Sequence, residues 1–413
     1  MPANSLFKKN IFIWFVLLLI TTSLFATDIS YTNIHNFAGG TGDGEIPYGS
    51  IIISHNTIFG MSNQGGVNDC GVIFKMNING SNYVNLHEFA GGAGDGKFPY
   101  YGKLTLNGDT LYGMTTQGGT NNYGVIFKIN TNGNAFATLH EFMNNDGANP
   151  YGSLLLADNT LYGMTKGGGI NNRGTIFKFD IVNNNFSTLY KFPTDINYGM
   201  NPYGSLLLYD NKLYGMAYEG GQQNKGVIFK IDKDGGNYTN LHVFNGVDDG
   251  GNPYGSLIFY NNTFFGMTKS GGTNSSSGYG VIFKMDIDGN NYSCLHKFNY
   301  YDDGRYPYGD LITSGDMLYG MISDGYTCKG AIFQIDINGE NYTNIHNFAL
   351  GISNGNRPFG SLAFYNNEFY GMTSQGGSHA KGVIFKQLQP EIPEPYSLFC
   401  FIFMLLIRNF SKH

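Results

Sequence analysis

The chain has 413 residues, of which 41% are hydrophobic, 15% aromatic and only 13% charged, with 60 glycines and a net charge of −6. An ordinary soluble chain is about one quarter charged, so this one is made mainly of pleat-forming apolar residues and turn formers. A negative chain without a basic stripe excludes nucleic acid as a partner, and its four cysteines (Cys70, Cys294, Cys328 and Cys400) contain no C-x-x-C pair that would frame zinc.

Residues 1–26 read as a secretory leader. Lys8 and Lys9 precede an apolar run from Ile11 to Ile20, and Thr21 to Ala26 form a small-residue exit. An uncleaved membrane anchor is the alternative reading of the same segment. From residue 27 to residue 388 the chain repeats one pattern seven times. Its marker is an aromatic-Gly-Met triplet with glycines at Gly60, Gly113, Gly163, Gly215, Gly266, Gly320 and Gly371, or 53, 50, 52, 51, 54 and 51 residues apart. A period near 50 built of short strands and glycine turns predicts a β-propeller.

Residues 238–291 illustrate one repeat. Alternation predicts a strand over 238–244, a Gly-rich loop over 245–252 and a second strand over 253–260. Asn261-Asn262 makes a hairpin turn. A third strand covers 264–268, and Gly271-Gly272 opens a longer turn to a fourth strand over 280–286. Four antiparallel strands, a to d from the hub outward, make one blade. The first post-leader segment, Tyr31-Thr32-Asn33-Ile34-His35-Asn36-Phe37, is of the outermost-strand type, and the last repeat lacks that strand after Val383-Ile384-Phe385-Lys386. The N-terminal strand is therefore expected to complete the last blade, which removes two open edges at once. The predicted fold class is all-β, a seven-bladed β-propeller of four-stranded blades.

Residues 389–413 differ in kind. Pro393-Glu394-Pro395 precedes the apolar stretch Ser397 to Ile407 and the basic Arg408 and Lys412. This order resembles the PEP-CTERM sorting tail, which implies processing by an exosortase-type enzyme and membrane contact only through the terminal segments. The repeats over residues 31–388 resemble the choice-of-anchor tandem-repeat proteins called GloVer, and the tail fits as their exchangeable anchor. They are more distantly similar to kelch repeats through paired glycines such as Gly65-Gly66 and Gly271-Gly272. Neither resemblance implies an enzymatic activity.

The d–a and b–c loops are the longer and more variable ones, and they are expected to share one face. Two sets of candidate ligand-binding residues lie there. Asp43, Asp95, Asp146, Asp249 and Asp303 recur in Asp-Gly loops, with Tyr198 and Asn354 in the other two repeats. Tyr48, Tyr101, Tyr151, Tyr203, Tyr254, Tyr308 and Phe359 recur at the start of the innermost strands. The carboxylates suit a cation or polyol, and equally suit plain turns. The aromatics suit sugar stacking, and equally suit packing between blades. His35, His87, His140, His242, His296 and His346 hold one outer-strand position, with Tyr190 as the exception, and read as structural hydrogen-bonding residues. Asp310, Arg305, Arg357, Glu219 and Tyr326 break the repetition but assemble no nucleophile-base-orienter set. No catalytic residue, cofactor or metal site is assigned. The expected function is a secreted or envelope-associated propeller that binds glycan, matrix polymer or protein, with a neutral or cationic polymer as the expected ligand. A polysaccharide lyase or glycoside hydrolase with its site at one channel mouth is the alternative.

Overall fold

The computed structural model describes residues 30–272, 278–348 and 354–390. The predicted leader and all but the first two residues of the predicted tail lie outside them, as does Cys400. Residues 31–386 form one compact unit. Seven four-stranded antiparallel sheets follow one another along it. Strands a to d of blade 1 are Ile52–Ser54, Thr57–Ser62, Val72–Asn77 and Val84–Glu88. Blade 2 has Thr105–Asn107, Thr110–Thr115, Val125–Asn130 and Ala137–Glu141. Blade 3 has Leu155–Ala157, Thr160–Thr165, Thr175–Asp180 and Asn185–Lys191. Blade 4 has Leu207–Tyr209, Lys212–Ala217, Val227–Asp232 and Thr239–Val243. Blade 5 has Ile258–Tyr260, Thr263–Thr268, Val281–Asp286 and Ser293–Lys297. Blade 6 has Ile312–Ser314, Met317–Ile322, Ala331–Asp336 and Thr343–Asn347.

Blade 7 has Ala363–Tyr365, Glu368–Thr373 and Val383–Leu388 as strands a to c, and the N-terminal Tyr31–Asn36 pairs beside them as strand d. The predicted closure is thus realised, and the Phe37 N–H donates to the Gly382 carbonyl at 3.0 Å. Together these blades make the predicted seven-bladed β-propeller.

The repeated triplet sits where two sequence rules meet. In strands b and c of blade 4, Gly215 lies opposite Phe229. A Cβ on Gly215 would come within 2.6 Å of the Phe229 ring tip, so the ring needs a residue without a side chain there. The neighbouring Met216 points into the interface with blade 5, packing among Phe244, Leu257 and Phe264 at 2% exposure. Each of the seven hydrophobic clusters draws on two adjacent blades. The core is therefore the stack of blade faces, which explains why both faces of each strand are apolar.

The innermost strands are shorter than the alternation predicts. In blade 5 the ladder covers only Ile258–Tyr260. The preceding Gly255-Ser256 turns its polar groups toward the neighbouring blades instead, because the blades converge at the hub. A Cβ on Gly204 would stand 2.2 Å from the Gly255 carbonyl oxygen, and the same approach recurs around the ring to Gly360 against Gly49.

Candidate functional site

The d–a and b–c loops do share one face. Short ribbons join them: Gly44–Glu45 pairs with Gln64–Gly65, and Gly199–Met200 with Glu219–Gly220. The two sets of sequence-predicted residues part company on this face.

The carboxylates do not converge. Each is bound within its own loop to the histidine of the preceding outer strand: His35 to Asp43 at 3.1 Å, His87 to Asp95 at 3.1 Å, His140 to Asp146 at 3.1 Å, His242 to Asp249 at 3.0 Å and His296 to Asp303 at 2.9 Å. A backbone N–H at the loop entrance donates to the same carboxylate, for example Ala38 to Asp43 at 2.7 Å. Burial works against the Asp43 charge, but the His35 and Ala38 hydrogen bonds outweigh it and hold the carboxyl below its ordinary value. Each histidine ring also stacks on an aromatic of the next blade, as His87 does on Phe136 at 3.6 Å. Tyr190 takes the same place on Tyr238 at 4.6 Å. These are loop clamps along the outer strands, in keeping with the structural reading of the histidines.

The aromatics do converge. Tyr48, Tyr151, Tyr203, Tyr254, Tyr308 and Phe359 ring the hub, and Tyr101 lies among them. Its ring centroid is 4.9 Å from Tyr254, 5.7 Å from Tyr48, 6.0 Å from Tyr151, 6.1 Å from Phe359 and 6.3 Å from Tyr308. Contacts with five other blades are available only on the axis, so Tyr101 plugs the channel. The cause is one extra residue. Blade 2 reads Pro99-Tyr100-Tyr101-Gly102 where the others read Pro-aromatic-Gly, and Tyr100 occupies the ring position beside Tyr48 at 4.7 Å. That doubled tyrosine is a sequence signal, and the reading by repeats passes over it. Tyr254 is buried, whereas the remaining ring members stay partly exposed.

The plug and its ring form a disc of stacked phenols. Burial pushes the Tyr100 and Tyr203 hydroxyls up to about 12, with neighbouring phenols adding to the effect. Such groups stay neutral and serve as hydrogen-bonding stacking surfaces, not as bases. Two cations lean over the disc. The Lys166 Nζ is 5.3 Å from the Tyr151 ring and 5.1 Å from Tyr203. The Lys269 Nζ is 5.4 Å from Tyr308 and 5.7 Å from Tyr218. Neither is paired with a carboxylate among the described residues.

Below the disc lies a polar belt that the sequence reading touches only through Asp310. The residues after the hub glycines are Ser50, Lys103, Ser153, Ser205, Ser256, Asp310 and Ser361. In six of the seven the backbone N–H donates to the side-chain oxygen of the next: Lys103 to Ser153 at 2.9 Å, Ser153 to Ser205 at 2.8 Å, Ser205 to Ser256 at 2.8 Å, Ser256 to Asp310 at 2.6 Å, Asp310 to Ser361 at 2.8 Å and Ser361 to Ser50 at 2.7 Å. The circle breaks between Ser50 and Lys103, since an ammonium accepts no hydrogen bond. Between belt and plug the void shrinks to about 30 Å³. On the other side of the belt a cavity of about 720 Å³ runs along the inner strands toward the a–b turns.

Arg305 is paired with Asp324 at 2.7 Å, and Glu219 accepts from Asn201 at 2.9 Å, so these irregular residues serve their own loops. No cluster of three or more His, Cys, Asp or Glu side chains suited to a metal occurs among the described residues.

A family model, the Gloeobacter/Verrucomicrobia repeat, matches residues 22–197, 135–277 and 249–391. No curated protein sequence matches the chain significantly. Among solved structures, an oligogalacturonate lyase in complex with manganese aligns with a TM-score of 0.55 at 11% identity, over 89% of this chain and 94% of that one. The oligogalacturonate lyase of Vibrio parahaemolyticus gives 0.54 at 11% identity, over 89% and 95%. The GH74 enzyme of Niastella koreensis gives 0.51 at 14% identity, over 75% of this chain and 46% of that one. At these identities the likeness concerns the fold.

Proposed function

The chain belongs to the Gloeobacter/Verrucomicrobia repeat family, and from that premise and the hub geometry we propose a non-catalytic propeller that binds glycan or another extracellular polymer. The observation that carries this reading is the convergence of the partly exposed Tyr48, Tyr100, Tyr151, Tyr203 and Tyr308 around the Tyr101 plug. Flat, neutral aromatic faces stack on sugar rings, and their hydroxyls pair with sugar hydroxyls. Lys166 and Lys269 above the disc favour acidic substituents on the polymer, which reverses the neutral or cationic ligand expected from sequence.

A lyase or glycosidase needs an acid and a base aimed at one bond. The five loop carboxylates are instead held singly by five histidines, one in each of five blades. The work of such a binder lies outside the cell, with residues 1–26 as leader and residues 389–413 as an anchor or exosortase-processed tail. The test is an array of acidic and neutral glycans probed with the protein, alongside a screen for released sugar. Saturable binding to acidic glycans without release supports the reading. Sugar release abolished by a single substitution at the hub would replace it with the enzyme reading.

A further inference from the structure

The cavity of about 720 Å³ on the opposite side of the belt has no part in the binding reading above. Its walls come from the inner strands, where Ile52, Leu155, Leu207, Ile258, Ile312 and Ala363 are each partly exposed. Its floor is the belt. Its far end is stopped by Tyr101 and the aromatic ring, so it is a blind pocket entered from the a–b turns.

The floor is rich in donors. Each belt serine already spends its oxygen as an acceptor for a backbone N–H of the preceding blade. Each hydroxyl keeps its O–H to donate, beside one further lone pair. Lys103 adds an ammonium that is exposed and has no ion-pair partner among the described residues. Against these stands one carboxylate, Asp310, which already accepts the Ser256 N–H at 2.6 Å.

Lys103 is also a local cost. It interrupts the belt where serine would complete it, and it sits two residues after the inserted Tyr101 that closes the pocket. The inserted tyrosine and the belt lysine thus fall in one segment of blade 2. A residue that breaks a local rule without structural gain marks a functional position.

We infer that this pocket binds an amphiphile with an anionic head, its carboxylate-like group on Lys103 and the belt hydroxyls and its alkyl body against the aliphatic walls. The a–b turns at the entrance carry Asp109, Asp158, Asp210 and Asp316, of which Asp158 is paired with Lys233 at 2.9 Å. These exposed acids slow an approaching anion, but beyond about 8 Å they are screened at physiological salt, whereas the contact at the floor is direct.

The test is calorimetric titration of the full chain with decanoate and with decyltrimethylammonium, each below its micelle concentration. Decanoate is expected to bind one per chain, and more tightly than the cation. Lys103→Ser supplies the missing belt acceptor, so it is expected to hold or raise the melting temperature while weakening decanoate at least tenfold. Lys103→Gln, which keeps a long polar side chain without the charge, should weaken it as well. Asp310→Ser should leave decanoate binding equal or tighter. Tighter binding of the cation, absence of saturable decanoate binding, or unchanged affinity in both Lys103 variants would overturn the assignment.

Discussion

His346 is the one outer-strand histidine whose blade has no acid to meet it, and its response to pH is calculable. Asn354 stands where other loops carry Asp. Among the described residues the His346 Nε2 is buried without a partner, and its ring stacks on Tyr31 at 4.0 Å. Burial favours the neutral ring and pushes its pKa down to about 4 from 6.5. The unfolded chain therefore takes up a proton below pH 6.5 that the folded chain refuses until about pH 4, and stability falls as the pH drops through that window. At pH 5 the full linkage amounts to about 2 kcal/mol. Allowing for residual solvent screening, a loss of about 1–2 kcal/mol relative to pH 7 is expected. His346→Tyr copies Tyr190 of blade 3, which stacks on Tyr238 of the next blade without an acid. Denaturant melts of parent and variant at pH 7 and pH 5 isolate the term, because the five paired histidines are common to both. The variant should lose about 1–2 kcal/mol less than the parent between the two pH values. Equal losses would refute the assignment of His346 as a neutral, unpartnered ring.

Deleting residues 27–38 removes strand d of blade 7 together with the fully buried Phe37. It should cost on the order of 5 kcal/mol, from lost apolar burial and an opened sheet edge, and a melting temperature close to the parent's would refute the closure. Met216→Asp places an unpaired carboxylate between blades 4 and 5 and should destabilise by several kcal/mol, read as loss of the cooperative melt or of soluble protein. Ile46→Asn should stabilise by about 1 kcal/mol. Ile46 holds φ 51°, where Asn149 and Asn252 hold φ 52° and 54° and donate side-chain hydrogen bonds to Thr116 and Tyr218 carbonyls. A lower melting temperature for that variant would contradict the strain argument.

The fold is legible in the sequence because one register is written seven times. Gly opposite Phe, with Met beside it, satisfies the strand pairing and the blade interface together, so composition, period and packing agree. Ring closure is legible from the phase of the repeat, which begins on strand d and ends on strand c. The candidate site is legible only in part. The five Asp and the seven aromatics share a loop in sequence, yet the fold sends them apart. Asp43 and its equivalents turn outward to the histidines, while the aromatics pass inward to the hub. A clue to the first lies in blade 3, where Tyr190 and Tyr198 replace His and Asp together. The clue to the plug is the doubled Tyr100-Tyr101. Lys103 matches Asp310 as an exception among serines, and its meaning emerges only once seven backbones are seen to form one belt.

The proposed role of the aromatic disc is to bind polymer. Its most direct measurement is the affinity of an acidic glycan such as alginate for the parent, Tyr151→Ala, Tyr308→Ala and the double variant, with Asn211→Ala on the opposite face as control. Loss of one stacking ring is expected to cost about 1 kcal/mol, or roughly fivefold. The double variant should lose more because one polymer spans several blades, with the melting temperature little changed and Asn211→Ala binding like the parent. Unchanged binding in the double variant, or loss of binding in Asn211→Ala, would contradict the claim.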